Sequence, residues 1–420
     1  MMVLLRLAYS SLKSRAVTTS LTVFSIALSV LLLVGVDRVR GGVQEGFTGT
    51  LSQTDLIVGA RGGSLPLLLY SVFHIGTASN DISYESYEHF RDHAAVQWTI
   101  PFSMGDSHRG YRVVGTDDNF YDHFRFHHDH AVEFAEGARA NGIFDAVIGS
   151  EVAAKLGYGL GQKIVLSHGI EEVSILKHAD KPFTVVGVLA RTATPIDRTI
   201  YITLYGVEAM HVDWTDGTPP AIGEGVPAAK IRKEDLHIDQ VSTFLVRTRS
   251  RVDTLLLQRE IDTYKGEPLT AIIPAFALQE LWALMSYGDI ALSLVSGAVL
   301  VVGLLAMLIS LYTALNERRR EIAVLRAVGV GARQVFALFV LESTLISTVG
   351  VVIGVVVAYA ALWVFHGTVE SHFGIPLAMV GVSVRVWLYA VIVIGAGALL
   401  GCVPAARAYR NSLVDGLSAR

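Results

Sequence analysis

Four long apolar segments interrupt the polar pattern of the chain, at residues 16–36, 290–315, 335–365 and 386–403. The hydrocarbon core of a bilayer is roughly 30 Å thick, and a helix needs about 20 apolar residues to cross it. Each segment reaches or approaches that length, so we expect four membrane spans. The third is longer than one span needs, which predicts a tilted helix or one that projects beyond the bilayer.

Basic residues beside the spans predict their orientation, because positively charged loops stay in the cytoplasm. With four spans, three basic groups fall on one side: Arg6, Lys13 and Arg15; Arg318, Arg319, Arg320, Arg326 and Arg333; Arg407, Arg410 and Arg420. Both termini are therefore predicted to be cytoplasmic. No small-residue cleavage site follows the first span, so we interpret this span as an uncleaved signal anchor.

The insertion between the first two spans, residues 37–289, is predicted to lie on the opposite, periplasmic face. Its pattern alternates between β-branched runs and helical periodicity, which indicates a mixed α/β domain. We expect strands within residues 110–116, 181–190, 198–204 and 242–250, a strand and short helix within 145–164, and a helix within 252–266. A last helix, from near Phe276, is expected to run on towards the second span as a stalk.

Composition agrees with a membrane protein and excludes several other classes. With 52% hydrophobic and 17% charged residues, the chain is more apolar than one globular core requires. A net charge of −4 without a basic domain argues against a nucleic-acid-binding protein. The single cysteine, Cys402, excludes a disulfide framework and a cysteine-based zinc site. The sequence has no P-loop, H-E-x-x-H or G-x-S-x-G motif, so an enzyme has no catalytic motif to rest on.

A short charged segment between the second and third spans reads NERRREIAVLRAVGVGARQV, residues 316–335. Ile322 and Leu325 fall on one helical face, and Arg319 and Arg326 on another. Gly329 is expected to end this helix before the third span begins. From periodicity alone, the segment is a basic loop that sets the topology and meets lipid headgroups.

The order of residues in this segment adds a second interpretation. ERRREIAVLRAVG resembles the coupling helix of ABC transporter permeases of the MacB/FtsX type, and PFTVVGVLARTATPIDRTIYITL resembles the MacB-type external domain. VPAARAYRNSLVDGLSAR resembles the C-terminal motif of that family, with Leu413 where proline is usual. The resemblance implies that an ATPase subunit contacts the following residues: Glu317, Arg318, Arg319, Arg320, Glu321, Ile322, Leu325, Arg326 and Gly329.

The resemblance also implies a domain layout and a function. The parts are residues 1–36 (amphipathic helix and first span), 37–289 (periplasmic MacB-like α/β domain with stalk), 290–315 (second span), 316–334 (coupling helix), 335–365 (third span), 366–385 (short periplasmic loop) and 386–420 (fourth span and tail). The chain is expected to transmit the motion of a separate ATPase, which carries ATP and Mg²⁺, to a periplasmic event. It does so as a homodimer or heterodimer in the bacterial inner membrane.

Three alternatives for that event stay open. The first is transport linked to zinc, with a periplasmic binding or adaptor protein as partner. The second is regulation of a periplasmic cell-wall enzyme, as FtsX-type proteins do, although their external domains are much smaller than this one. The third is lipoprotein release or tripartite efflux.

Three residues of the third span call for an explanation. Glu342 is ionisable, and such a group in lipid usually faces a partner, so we interpret it as a structural anchor. Gly350 and Gly354 form a G-x-x-x-G motif, which allows close helix packing, within the chain or at a dimer interface.

Histidines are the residues that raise the question of a metal. The stretch DHFRFHHDH contains His123, His127, His128 and His130. In a helix His123 and His127 share a face, a spacing that can hold Zn²⁺, whereas in a strand His128 and His130 do. The other interpretation is a solvated loop, because spacing alone gives no tetrahedral ligand set.

A further resemblance concerns two histidines outside that tract. The stretches DLIVGARGGSLPLLLYSVFHIGTASNDISY, MGDSHRGYRVVGTD and SHGI resemble a subgroup of these permeases that is associated with zinc. His74 and His168 lie within them, so both join the candidate zinc ligands.

Overall fold

The computed structural model describes residues 15–77, 80–127, 129–169, 178–214, 225–317, 329–373 and 383–414. The chain divides into a membrane unit, residues 1–42, 285–368 and 377–420, and an external unit, residues 43–284 and 369–376. The described residues form ten α-helices: α1 Ala16–Gly49, α2 Ser64–Phe73, α3 Tyr84–Arg91, α4 Asp118–His123, α5 Ser150–Leu156, α6 Leu204–His211, α7 Arg251–Asp262, α8 Pro274–Glu317, α9 Ala332–Phe373 and α10 Val384–Val414.

The strands are short apart from one of thirteen residues. They are β1 Leu56–Ala60, β2 Ile82–Ser83, β3 Val96–His108, β4 Tyr111–Thr116, β5 Arg125–Phe126, β6 His130–Ala131, β7 Phe134–Gly137, β8 Asp145–Ile148, β9 Lys163–Ile164, β10 Ser167–His168, β11 Phe183–Leu189, β12 Thr199–Thr203, β13 Gln240–Val241, β14 Thr243–Thr248 and β15 Leu269–Ile272. Three single 3₁₀ turns, Pro195–Arg198, Ala228–Lys230 and Lys233–Asp235, complete the described elements.

The four predicted spans are confirmed as helices. Four helices in the described part of the chain are long and apolar enough to cross a membrane: Ala16–Gly42, Pro274–Thr313, Ala332–His366 and Val384–Arg407. The helix expected from near Phe276 begins at Pro274 and continues without a break to Glu317, so the stalk and the second span are one helix, α8.

The membrane unit is held together by an apolar core and by close packing at glycines. Its buried core includes Ile26, Val30 and Met307. A Cβ added at Gly354 would lie 2.6 Å from the carbonyl oxygen of Ala27, and one at Gly350 would lie 2.7 Å from a methyl group of Ile26. The G-x-x-x-G motif therefore packs the third span closely against the first span of the same chain.

The external unit is built on a mixed sheet of eleven strands, which confirms the predicted α/β domain. The order along the sheet is β15-β1-β14-β3-β4-β12-β8-β11-β7, with β10 paired to β3 and β9 to β11. The pairs β12–β4 and β11–β8 are parallel, and the other pairs along the sheet are antiparallel. Strands β4, β11, β12 and β14 lie where the β-branched runs predict them.

The segment predicted as a strand followed by a short helix also folds that way. Strand β8 leads into α5, and Gly157, at φ +67°, ends the helix in the left-handed conformation that glycine adopts without strain. In the core, apolar side chains line both faces of the sheet. On one of them the Phe120 and Tyr201 rings stack with their centroids 4.4 Å apart.

Strand β3 positions the candidate site because it changes partners along its length. Its first half pairs with β14, from Val96 to Phe102, and its second half pairs with β4. The register of the β3–β4 ladder shifts between Met104 and Ser107, which marks a bulge. Bulges re-aim side chains, and Asp106 lies inside this one.

We predict that Gly354→Ala destabilises the membrane unit by about 1–3 kcal/mol, because the added methyl group overpacks against the Ala27 backbone. Thermal unfolding of the full chain in detergent measures this change. The matched control is Gly395→Ala in α10, where nothing lies within 4 Å of the added Cβ. Equal unfolding temperatures for the two variants would show that the contact at Gly354 does not matter.

Candidate metal centre

Four side chains that can bind a metal converge in the external unit: Asp106, His168, His178 and His211. Each offers one ligand atom, and these four atoms all lie within 4.8 Å of one another. Among the described residues, no other group of three or more histidine, cysteine, aspartate or glutamate side chains meets that criterion. The cluster is therefore the candidate metal centre.

Two of the ligands are placed by strand pairing. In the antiparallel ladder between β10 and β3, His168 lies directly opposite Asp106. The His168 Nδ1 atom is 3.2 Å from the Asp106 Oδ1 atom. Asp106 is 3% exposed, whereas His168 is exposed to solvent, so the pair joins a buried ligand to an accessible one.

The other two ligands come from chain segments next to the sheet. His211 is the last residue of α6, and its Nδ1 atom hydrogen-bonds to the Val207 carbonyl oxygen at 3.0 Å. His178 lies in the loop before β11, and its backbone N–H donates to the Leu166 carbonyl oxygen at 2.9 Å. Their Nε2 atoms lie 3.9 Å and 4.0 Å from the Asp106 Oδ1 atom, respectively.

The hydrogen bonding of these two histidines is incomplete. The Nε2 atoms of His178 and His211 are buried and have no hydrogen-bond partner. Such orphans are rare, because burying a polar atom without a partner costs free energy. Both atoms face the same carboxylate oxygen. A cation between them satisfies both nitrogens and the buried charge of Asp106 at once, so the residues present fit a metal.

His108 lies in β3, the strand that carries Asp106, and its hydrogen bonding differs from that of His178 and His211. Its Nδ1 atom is 2.7 Å from the Val165 carbonyl oxygen, and its Nε2 atom is 3.0 Å from the Tyr158 hydroxyl. Both ring nitrogens are satisfied by the protein. His108 is therefore a buried structural histidine, whereas His178 and His211 each keep one nitrogen for another ligand.

Electrostatics keeps two of the imidazoles in the form that binds metal. Burial lowers the pKa of His178 to about 4 and also lowers the pKa of His211. Both are therefore neutral at pH 7, and the neutral imidazole is the metal-binding form. The hydrogen bond to Asp106 raises the pKa of His168, so protons compete with a metal for this ligand more than for the other two.

The donor set indicates which metal fits. Three imidazole nitrogens and one carboxylate oxygen suit Zn²⁺, whereas Ca²⁺ and Mg²⁺ prefer oxygen ligands throughout. Zn–N distances of about 2.0–2.1 Å in a tetrahedral site place ligand atoms about 3.3 Å apart. The Asp106 Oδ1 atom lies 3.2 Å from His168 and 3.9 and 4.0 Å from His211 and His178, and all four ligand atoms lie within 4.8 Å of one another, so the group would contract around a bound ion.

An aromatic ring covers the cluster. The centroid of Trp214 lies 5.3 Å from those of His168 and His178 and 4.9 Å from that of His211. An indole ring adds no ligand, so among the described residues the candidate ligands are these four side chains. Four ligands is the number that tetrahedral zinc sites use.

Of the histidines singled out in the sequence that the structure describes, His168 alone belongs to this group. His74 ends α2 in the left-handed conformation, at φ 55°, and its Nδ1 atom lies 3.0 Å from the Thr199 hydroxyl oxygen. Burial lowers the pKa of His74 to about 4. His74 therefore has a protein partner for one ring nitrogen and lies outside the cluster. Asp106, His178 and His211 were not among the predicted ligands.

Of the arrangements considered for the histidine tract, the helical one is not formed. Helix α4 ends at His123, so His123 and His127 do not share a helical face. The His123 ring stacks on Trp98, 5.5 Å between centroids, and the His130 Nδ1 atom lies 3.0 Å from the His127 carbonyl oxygen. His128 lies outside the described residues.

The coupling residues lie mostly outside the described part of the chain. Glu317 is the last residue of α8, and Gly329 has φ +100°, a left-handed conformation suited to the predicted helix end. Arg318, Arg319, Arg320, Glu321, Ile322, Leu325 and Arg326 are not described. In the third span, Glu342 is 2% exposed, and its role as an anchor stays a prediction.

Comparisons with known proteins place this site in a family. The model of the MacB-like periplasmic core domain matches residues 19–264, and that of the FtsX-like permease C-terminal region matches residues 293–413. The chain belongs to the MacB/FtsX-type permeases, the transmembrane components of ABC transporters. The resemblance to this family is confirmed, whereas the resemblance to a zinc-associated subgroup stays a prediction. The candidate metal centre lies within the MacB-like domain.

The individual proteins that resemble this chain have low sequence identity to it. Two proteins named pyoverdine export ATP-binding/permease protein PvdT, from Pseudomonas fluorescens and Pseudomonas entomophila, are each 26% identical over 73% and 75% of this chain. The chain covers 42% and 44% of them, so it spans less than half of their length. The periplasmic region of MacB from Actinobacillus actinomycetemcomitans is 10% identical, covering 55% of this chain and 94% of that structure. Its TM-score of 0.34 is too low to carry an argument.

We predict that the full chain binds one Zn²⁺ and that the buried and the exposed ligands contribute unequally. His178→Ala should weaken binding by about tenfold or more relative to His168→Ala, because water can replace the exposed ligand more easily than the buried one. Titration with a competing chelator measures both dissociation constants. The control His93→Ala, which removes a histidine paired with Glu260, should bind as the unmodified chain does. Equal loss in all three variants would exclude this ligand set.

Proposed function

We propose that this chain transmits the motion of an ATPase to a periplasmic domain whose work is linked to zinc. The metal centre is the observation that carries the proposal. Three imidazoles and one carboxylate, with two nitrogens left without partners, lie inside the MacB-like domain of a permease. A transporter that meets zinc outside the membrane needs a site of this donor type there.

Transmission begins at the cytoplasmic coupling segment. The ATPase, which holds ATP and Mg²⁺, docks on residues 317–329 as a separate subunit. The resemblance of ERRREIAVLRAVG to a coupling helix supports this contact. Helix α8 runs uninterrupted for 44 residues from Pro274 to Glu317, immediately before that segment. A continuous helix passes on a displacement along its axis as a rigid element.

The membrane part acts as a transmitter rather than as a channel. The most apolar windows of the four spans have mean hydropathies of 2.3 to 2.6, which leaves little polar surface to line an aqueous path. Two permease chains, identical or related, pair in the inner membrane with both termini in the cytoplasm. A periplasmic binding or adaptor protein is the partner that brings or removes the client.

The relatives favour a second candidate, export of a small molecule. Both are named pyoverdine export proteins, although at 26% identity the name does not carry over to the substrate. Tripartite efflux and lipoprotein release belong to the same class of permease. Regulation of a cell-wall enzyme is less well supported, because the insertion of residues 37–289 is larger than the external domains of FtsX-type proteins.

The proposal predicts that nucleotide and zinc affect each other's binding. In the complex purified from native membranes, a non-hydrolysable ATP analogue should change the zinc dissociation constant by about fivefold or more, in either direction, because coupling between two sites is reciprocal. Equilibrium zinc titration with and without the analogue measures this change.

Two variants separate the parts of this prediction. Arg326→Glu should abolish the effect of the nucleotide and leave zinc binding intact, whereas Asp106→Ala should lose the zinc. An unmodified complex in which the analogue leaves the zinc affinity unchanged would contradict transmission. A complex that binds ATP but no zinc would contradict the link to metal and favour export.

A further inference from the structure

A fully buried lysine lies next to the metal centre. Lys181 is 1% exposed, and lysines are almost never buried to this extent unless their charge is paired. Its ammonium group donates to the Asp213 Oδ1 atom at 2.5 Å and to the Met210 carbonyl oxygen at 3.2 Å. The Asp213 Oδ2 atom accepts from the Val226 N–H at 2.9 Å, so this carboxylate is held from both sides.

The Lys181–Asp213 ion pair connects the two chain segments that carry His178 and His211. On one side, the Lys181 N–H donates to the His178 carbonyl oxygen at 3.2 Å, which closes a turn from the ligand to the lysine. On the other side, Asp213 follows His211 by two residues, and Met210 precedes it by one. The ammonium group therefore ties the end of α6 to the loop that enters β11.

The imidazoles on these two segments are held close together. The ring centroids of His178 and His211 lie 5.0 Å apart, with the ring planes at 88°. A buried ion pair adds little net stability, because its desolvation cost offsets the attraction, whereas such pairs can fix one arrangement among several. Ligands that are already in place bind a metal more tightly, since no ordering cost remains to be met.

We propose that the Lys181–Asp213 pair is a positioning device that holds His178 and His211 at metal-binding separation before the metal arrives. This inference rests on the proposed zinc centre. The site then consists of two halves, each held by a different structural feature. The pair fixes His178 and His211, and the β3–β10 ladder fixes Asp106 and His168.

The test compares zinc affinities of the full chain in detergent. Lys181→Met breaks the pair, and the double variant Lys181→Met/Asp213→Leu replaces it with apolar side chains that leave no buried charge. Both should bind one Zn²⁺ about tenfold or more weakly than the unmodified chain, the usual effect of losing a group that orients metal ligands. The control Lys155→Met removes a partly exposed lysine paired with Glu151 and should change nothing.

A second readout separates positioning from folding. The double variant should unfold at nearly the same temperature as the unmodified chain without metal, because apolar replacements of buried pairs are commonly neutral or stabilising. Zinc affinity in that variant equal to that of the unmodified chain overturns the inference, and so does a double variant that fails to fold. An unmodified chain that binds no zinc overturns the proposed centre as well.

Discussion

A buried negative charge is costly unless a cation accompanies it, and Asp106 carries such a charge at 3% exposure. Three imidazoles surround its carboxylate at 3.2 to 4.0 Å, and two of them present nitrogens without partners. The bulge in β3 and the pairing of β10 opposite it bring this carboxylate to the histidines. A zinc ion would neutralise the buried carboxylate and bind both nitrogens that have no partner. For this reason we interpret the arrangement as a metal centre.

The sequence carries more information about the fold than about the site. Span positions follow from runs of apolar residues, and β4, β11, β12 and β14 follow from β-branched runs, because these patterns are local. The ligands come from β3, β10, a loop and the end of α6, which are far apart in the sequence and meet only in the folded domain. His178 and His211 each begin a His-x-Asp triplet, but His127 and His237 begin one too, so this local pattern does not mark the ligands. The local density of histidines instead favours the tract of residues 122–130, where helix α4 ends at the first histidine, His123.

The position of the centre bears on how a permease of this family works. The candidate ligands lie in the MacB-like domain, and in the proposed function zinc reaches them without a path through the spans. Under the proposed function, four protein ligands would hold an ion firmly, which suits a domain that responds to zinc more than one that passes it on rapidly. The Lys181–Asp213 pair points the same way, because a prearranged site favours affinity over exchange.

X-ray absorption at the zinc edge, on the purified full chain loaded with one equivalent of Zn²⁺, tests the central claim most directly. We predict four nitrogen or oxygen neighbours at about 2.0–2.1 Å, with the multiple scattering of about three imidazoles. Loss of that scattering in Asp106→Ala/His178→Ala ties it to this site. A shell of six oxygens, a sulfur neighbour, or no retained zinc would contradict the account.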